Sequence, residues 1–190
     1  MKTILSMVIA LAPLAAGDTV DAVAHLERTR KMFLEATAGL SEAQWKFKPA
    51  PDRWSVAECA EHITAAEEFL HGLVAKTAGG PAAAEPSKVA DAKVMAVVTD
   101  RSFKATSPEP LVPTGRFGGR EDVRTEFQAR RARTLELVRT TGEAELRKHM
   151  APNPVLGPID AYQWVLFLSG HTERHLAQIR EVKAHAAYPK

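Results

Sequence analysis

The segment from residue 162 to residue 182 has the apolar spacing of a helix that packs against a protein core, and two histidines belong to its apolar stripe. The stripe consists of Trp164, Leu168, His171, His175, Ile179 and Val182. Residues four positions apart in a helix differ by about 40° in azimuth and about 6 Å in rise, so both imidazoles point the same way. A buried polar group without a hydrogen-bond partner costs about 1–3 kcal/mol. Because no acidic side chain accompanies the two histidines on this face, a shared metal ion is the simplest partner for both.

Helical spacing continues along the rest of the chain, and no long alternation of apolar and polar residues predicts strands. Helices are predicted at about 18–40, 55–76, 120–141 and 162–182, with a shorter helical patch near 89–98. Residues 77–119 are rich in alanine, proline and glycine and predict a long connection that crosses the bundle or covers one end of it. We therefore predict an all-α fold, a four-helix bundle with a long crossover connection between its second and third helices.

Two of these helices begin at sequence signals for capping. Ser55 with Glu58 is typical of a capping box at the start of the second helix. Asp160 with Gln163 predicts a weaker cap at the start of the fourth.

Residues 1–17 have the anatomy of a secretory signal peptide. Lys2 precedes an apolar stretch at residues 4–12, and small residues follow at 15–17. This pattern predicts a signal peptide at 1–17 and one bundle domain at 18–190, and it favours a periplasmic or secreted protein. The apolar stretch is shorter than the roughly 20 residues of a membrane-spanning helix, so no stable membrane anchor is predicted. The alternative is a cytoplasmic protein whose short apolar first segment packs on the bundle.

The composition excludes several kinds of site. The chain of 190 residues has a formal net charge of +2 with basic and acidic residues interspersed, so no nucleic-acid partner is predicted. Its only cysteine, Cys59, excludes intrachain disulfides and the zinc sites that need several thiolates. Any metal site must therefore use histidine nitrogens and oxygen ligands.

His62 is the best candidate for a third metal ligand. It lies on the inward stripe of the second predicted helix, between Cys59 and Ala66. Together with His171 and His175 it would supply three imidazoles from two helices and leave one or more coordination positions for water or substrate. Zinc fits such a nitrogen site, and nickel, cobalt and iron also accept imidazole. The alternative is that the three are separate core histidines, each satisfied by local hydrogen bonds.

The remaining histidines lie off the apolar stripes or near polar ends, which predicts surface side chains; they are His25, His71, His149 and His185. Arg131 shares a helix face with Phe127 and Leu135. It is interpreted as a surface arginine whose stem lies along apolar residues, with an inward-reaching anion anchor as the alternative. Glu173 lies about 200° around the helix from His171, so it cannot act as a base at the same metal ion.

Three motifs occur in an order that resembles the DinB-like superfamily, the helical-bundle proteins related to DinB and YfiT. They are Trp54-Ser55-x-x-Glu58-x-x-x-His62, Gly157-Pro158-Ile159-Asp160 and His171-x-x-x-His175-x-x-Gln178-Ile179. The segment 110–116 and the pattern Phe127-x-x-x-Arg131 are similar to looser features of this superfamily, and the resemblance covers residues 18–190. It implies a four-helix bundle that binds a divalent metal ion, often zinc or nickel, through three histidines that map onto His62, His171 and His175.

The resemblance also implies a range of activities. Characterised relatives include thiol-dependent S-transferases and a mycothiol-dependent maleylpyruvate isomerase, other members are described as metal-dependent hydrolases, and homodimers are common. We therefore expect a metal-dependent hydrolase or a thiol S-transferase that acts on a small molecule. Export would favour hydrolysis, because a cytosolic thiol cosubstrate would be absent. The alternatives are a non-catalytic, stress-associated metal-binding bundle and a bundle that binds no metal at all.

Overall fold

The computed structural model describes residues 19–102 and 106–190. Its long helices are α1 (Ala22–Thr37), α3 (Val56–Ala78), α5 (Arg120–Thr141) and α7 (Ala161–Lys183), and its short helices are α2 (Glu42–Lys46), α4 (Asp91–Thr99) and α6 (Glu143–Leu146). Two short strands, β1 (Met150–Asn153) and β2 (Gly157–Asp160), form an antiparallel hairpin. The signal peptide expected at residues 1–17 lies outside the described residues. No helix in the described ranges is long and apolar enough to span a membrane.

The four long helices form a bundle. α7 packs against α1 and α3, and α5 packs against the same two helices, so α5 and α7 occupy opposite corners. Apolar side chains fill the interior in two clusters, one that includes Leu26 and Leu135 and one that includes Phe33 and Phe127. The prediction of an all-α four-helix bundle with a long crossover between its second and third long helices is confirmed.

Both predicted caps are present, and each is a capping box. The Glu58 backbone N–H donates to the Ser55 hydroxyl at 3.1 Å, and the Ser55 backbone N–H donates to the Glu58 carboxylate at 2.7 Å. Asp160 and Gln163 make the same reciprocal pair at 2.7 and 3.2 Å, so the cap expected to be weaker is complete. Each box fixes the residue at which its helix begins, and therefore which side chains of α3 and α7 face the core.

Some local elements differ from the sequence prediction. The first helix begins at Ala22 and not at residue 18, because Asp21 caps it by accepting a hydrogen bond from the Ala24 N–H at 2.9 Å, and it ends at Thr37 and not near residue 40. The hairpin was not predicted, since strands of four residues are too short to show an alternating pattern. In the hairpin Met150 pairs with Asp160, the last residue of the second strand. The strand leads directly into α7, because this helix begins at the next residue, Ala161.

The crossover between α3 and α5 packs on the bundle. The helical patch predicted near 89–98 is α4, which packs against α7 at Gly170. A Cβ atom at Gly170 would lie 2.3 Å from Cγ1 of Val98. The close approach of the two helices therefore requires a residue without a side chain at this position. This close approach places α4 beside the turn of α7 that carries His171.

A buried polar layer lies between the two apolar clusters, with Arg131 at its centre. The fully buried guanidinium donates to both carboxylate oxygens of Glu67, at 2.8 and 2.5 Å. It also donates to the Leu26 carbonyl oxygen at 2.6 Å and to the hydroxyls of Thr29 and Thr172 at 2.7 and 2.9 Å. One side chain of α5 thus contacts α1, α3 and α7. The interpretation of Arg131 as a surface side chain is wrong, because Glu67 on another helix supplies the charge that permits its burial.

Candidate metal centre

The structure brings His62 of α3 together with His171 and His175 of α7. One ring nitrogen from each histidine lies within 4.8 Å of the others, and the Nε2 atoms of His62 and His171 are 3.2 Å apart. His62 is 3% exposed and His175 is 9% exposed, whereas His171 is partly buried. All three residues expected from the sequence as metal ligands therefore converge on one point between two helices.

A backbone carbonyl of the crossover orients the His62 ring. Nδ1 of His62 lies 2.8 Å from the carbonyl oxygen of Leu111. A carbonyl oxygen only accepts hydrogen bonds, so Nδ1 carries the proton and Nε2 keeps its lone pair. That lone pair faces His171. The indole of Trp54 also lies against this ring, with 4.8 Å between the two ring centroids.

The two histidines of α7 differ in how their outer nitrogens are satisfied. Nδ1 of His175 lies 2.9 Å from the amide oxygen of Gln178, one turn further along the helix, which again leaves Nε2 for the centre. Nδ1 of His171 is buried and has no hydrogen-bond partner within the described residues. Nδ1 of His171 therefore lacks the local hydrogen bond that the alternative of three separate core histidines requires.

Burial favours the uncharged form of all three imidazoles, and neighbouring histidines add to this effect at His171 and His175. Burial, followed by the charges of the neighbouring histidines, lowers the pKa of His171 well below its usual value. Burial is also the main cause that lowers the pKa of His175 to about 3. The pKa of His62 is lowered by burial as well, although the hydrogen bond to Leu111 opposes the shift. Neutral imidazole is the form that binds a metal ion.

The donor set fits a divalent cation. Two imidazole nitrogens bound tetrahedrally to zinc at about 2.0–2.1 Å lie about 3.3 Å apart, close to the separation of His62 and His171. No further histidine, cysteine, aspartate or glutamate of residues 19–102 and 106–190 joins the group. Three protein nitrogens without a fourth protein ligand are typical of a catalytic site, whereas structural zinc sites are closed by four ligands.

The three histidines line a surface cleft of about 640 Å³. Its apolar lining includes Val97 and Val98 of α4, Phe167 of α7 and Val155 of the hairpin turn. Charged side chains occupy other parts of the lining, among them Arg101, Arg174 and Glu181. A second depression, on the outer face of α1, contains none of the three histidines in its lining. A small molecule in the first cleft would reach the centre directly.

The other histidines only partly match the prediction of surface side chains. His185 is exposed, as predicted, and His71 and His149 are partly buried. His25 is buried at 7% exposed, with Nε2 at 2.9 Å from the Glu173 carboxylate, so the prediction is wrong for this residue. The periodicity of α1 alone does not show that Glu173 of α7 covers this face and supplies a partner. Glu173 faces α1, which agrees with its predicted exclusion from the centre.

The groups that orient the ligand rings were not predicted from the sequence. Gln178 carries a detectable signal, because it follows His175 by three positions and residues at this spacing are neighbours on a helix. Leu111 carries none, since its backbone carbonyl acts whatever the side chain is.

Comparisons with known proteins agree with this fold. A family model described as the DinB superfamily matches residues 25–179. YuaE, an uncharacterised protein of Bacillus subtilis (strain 168), is 25% identical over 145 residues, which cover 76% of this chain and 86% of YuaE. The solved structure of YfiT from Bacillus subtilis superposes with a TM-score of 0.62 at 14% identity, covering 88% of this chain and 87% of YfiT. YfiT is described as a probable metal-dependent hydrolase with an unusual four-helix bundle topology. Because the DinB superfamily model matches most of the sequence, the chain belongs to this superfamily.

Proposed function

We propose that the chain is a metal-dependent hydrolase of a small molecule, with a divalent cation, zinc or nickel, held by His62, His171 and His175. The observation that carries this proposal is the convergence of three imidazole nitrogens on the wall of an open cleft. The description of YfiT as a probable metal-dependent hydrolase supports the same reaction class.

The chain's own residues prepare the site for such chemistry. Leu111 and Gln178 hold the Nδ1 atoms of His62 and His175, so the Nε2 lone pairs point at the centre before any ion arrives. A divalent cation in such a site lowers the pKa of a coordinated water from about 15.7 toward 7 and polarises a carbonyl oxygen. The low pKa values of the imidazoles mean that protons do not compete with the cation near neutral pH.

The cleft limits the substrate to a small molecule with an apolar part. Its volume of about 640 Å³ falls within the range of small-molecule sites. Val97, Val98 and Phe167 provide an apolar surface on the side of α4. A substrate would pack its apolar part against this surface while its hydrolysable bond lies at the histidines.

The first test is elemental analysis of the untagged full chain, followed by turnover assays. We expect about one equivalent of zinc or nickel in the wild type. We expect metal-dependent hydrolysis of at least one member of a panel of carboxylic esters, thioesters and amides. His171→Ala should lose both the metal and the turnover. His185→Ala removes an exposed histidine and is the matched control that should keep both.

The outcomes separate the alternatives. Absence of metal from the wild type, even after incubation with zinc or nickel, would refute the proposal. Stoichiometric metal without turnover of any ester, thioester, amide or thiol conjugate would favour the non-catalytic metal-binding bundle. Turnover that appears only with an added thiol would identify the S-transferase instead.

A further inference from the structure

The carboxylate of Glu61, the residue before His62, binds three successive backbone N–H groups of the crossover. Its Oε1 accepts from the N–H groups of Thr114 at 2.6 Å and Arg116 at 3.3 Å, and its Oε2 accepts from that of Gly115 at 2.8 Å. Consecutive N–H groups of a loop converge in this way around a residue with positive φ, and Gly115 has a φ of 79°. The Glu61 side chain is 8% exposed. Glu61 therefore anchors this part of the crossover to α3 in a site shielded from solvent.

Arg116 extends this anchor to the carbonyl that orients the ligand histidine of α3. Its Nε donates to Glu61 at 3.2 Å. Its terminal nitrogens donate to the carbonyl oxygens on either side of Leu111, those of Pro110 at 2.6 Å and Val112 at 2.5 Å. Because one guanidinium binds the carbonyls on both sides, Arg116 restrains the segment that presents the Leu111 carbonyl to the histidine.

We propose that Glu61 is a positioning residue for the metal site. Together with Arg116 it fixes the Leu111 carbonyl, which holds His62 in the tautomer and ring orientation that bind a cation. This inference rests on one part of the proposed function, the binding of a cation at His62. The chain of hydrogen bonds from Glu61 to His62 does not depend on a metal ion.

The expected size of the effect follows from the chemistry of metal sites. Groups that hydrogen-bond the outer nitrogen of a ligand histidine typically contribute about 10–100-fold to metal affinity. Glu61 acts on His62 through Arg116 and Leu111, so we expect the lower end of this range, about 10-fold.

The first experiment compares Glu61→Gln with Glu58→Gln in the full chain. A glutamine at position 61 keeps one acceptor oxygen and presents an NH₂ group to an N–H that it cannot accept from. Glu58 lies one turn earlier on α3 and accepts from the Ser55 N–H and from Lys48, so the same substitution there weakens a cap without touching Leu111. The measurement is Zn²⁺ affinity by competition with a chelator. We expect about 10-fold weaker binding in Glu61→Gln and an unchanged affinity in Glu58→Gln.

The second experiment observes the His62 ring directly in the metal-free protein. Imidazole ¹⁵N chemical shifts distinguish a ring protonated at Nδ1 from one protonated at Nε2. We expect the Nδ1–H form in the wild type and in Glu58→Gln, and a mixture of both forms in Glu61→Gln. Arg116→Lys is the second variant, because it keeps the positive charge but loses the planar fork whose three nitrogens bind Glu61 and the two carbonyls separately. Arg116→Lys should give the same mixture of tautomers, and it replaces Glu61→Gln in this experiment if that variant does not fold.

The results that would overturn the inference are distinct from those that overturn the proposed function. A folded Glu61→Gln or Arg116→Lys protein with the wild-type Zn²⁺ affinity and the wild-type ¹⁵N shifts of His62 would refute the positioning role. Equal losses of affinity in Glu61→Gln and Glu58→Gln would also refute it, because they would indicate general destabilisation of α3. A wild type that binds no Zn²⁺ refutes the proposed function, while the ¹⁵N shifts still decide whether Glu61 positions the ring.

Discussion

Arg131→Met should destabilise the bundle strongly, because it removes the central group of the buried polar layer. Methionine keeps most of the apolar stem but removes all five hydrogen bonds of the guanidinium. The Glu67 side chain, 1% exposed, would be left without its counter-ion. Removing one partner of a buried ion pair costs about 3–5 kcal/mol. Domains of this size have unfolding free energies of about 5–15 kcal/mol, so the loss would be a large part of the total.

Urea unfolding followed by tryptophan fluorescence at pH 7 measures this loss, and a surface pair on the same two helices provides the control. Arg133 of α5 pairs with Glu68 of α3, and their side chains are 52% and 49% exposed. Arg133→Met should cost less than about 1 kcal/mol, because exposed ion pairs contribute little. In thermal unfolding, Arg131→Met should lower the Tm by about 6–20 °C.

A double variant tests the cause of the loss. Arg131→Met combined with Glu67→Leu removes both charges, so it should recover much of the stability lost in the single variant. An Arg131→Met protein within about 1 kcal/mol of the wild type would show that the buried ion pair does not stabilise the bundle as expected. A double variant less stable than Arg131→Met alone would contradict the unpaired Glu67 charge as the cause of the loss.

Three further predictions concern the site and its surroundings. Gly170→Ala should destabilise the protein by about 1–3 kcal/mol, because its Cβ would overlap Val98. The loss, measured by urea unfolding, should be smaller in a Val98→Ala background, and equal losses in both backgrounds would contradict the overlap as the cause. In the metal-free protein the unfolding free energy should decrease as the pH falls from about 6.5 toward 3, by up to about 1.4 kcal/mol per pH unit for each histidine, because the unfolded chain binds protons that His171 and His175 exclude when folded. Urea unfolding at pH 7.5, 6 and 5 measures this decrease, and an unfolding free energy that stays constant over this range would contradict the prediction. Zn²⁺ at 100 times its Kd should add about 2.7 kcal/mol to the unfolding free energy of the wild type and none to that of His171→Ala, whereas an equal gain in both would place the ion elsewhere.

The parts of the fold that were predictable are those governed by neighbouring residues. The third long helix was predicted at 120–141 and is observed at these bounds. Ser55 and Glu58 are three positions apart, so the capping box is visible in the sequence itself. The failures are residues whose partners lie on other helices. Arg131 was misplaced because its burial depends on Glu67, which is 64 positions away along the chain.

The sequence by itself determined the helical class, the starts of three of the four long helices and the residue types available for a metal ion. These follow from spacing and capping rules that act over three or four residues. Only the tertiary structure decided that His62 meets His171 across 109 positions and that the Leu111 carbonyl, 49 positions away, orients its ring. It also decided that the three rings lie at a cleft and are not sealed in the core. The physical reason is that ring orientation and solvent access depend on how separate helices and the crossover pack together, and periodicity within one helix carries no information about that packing.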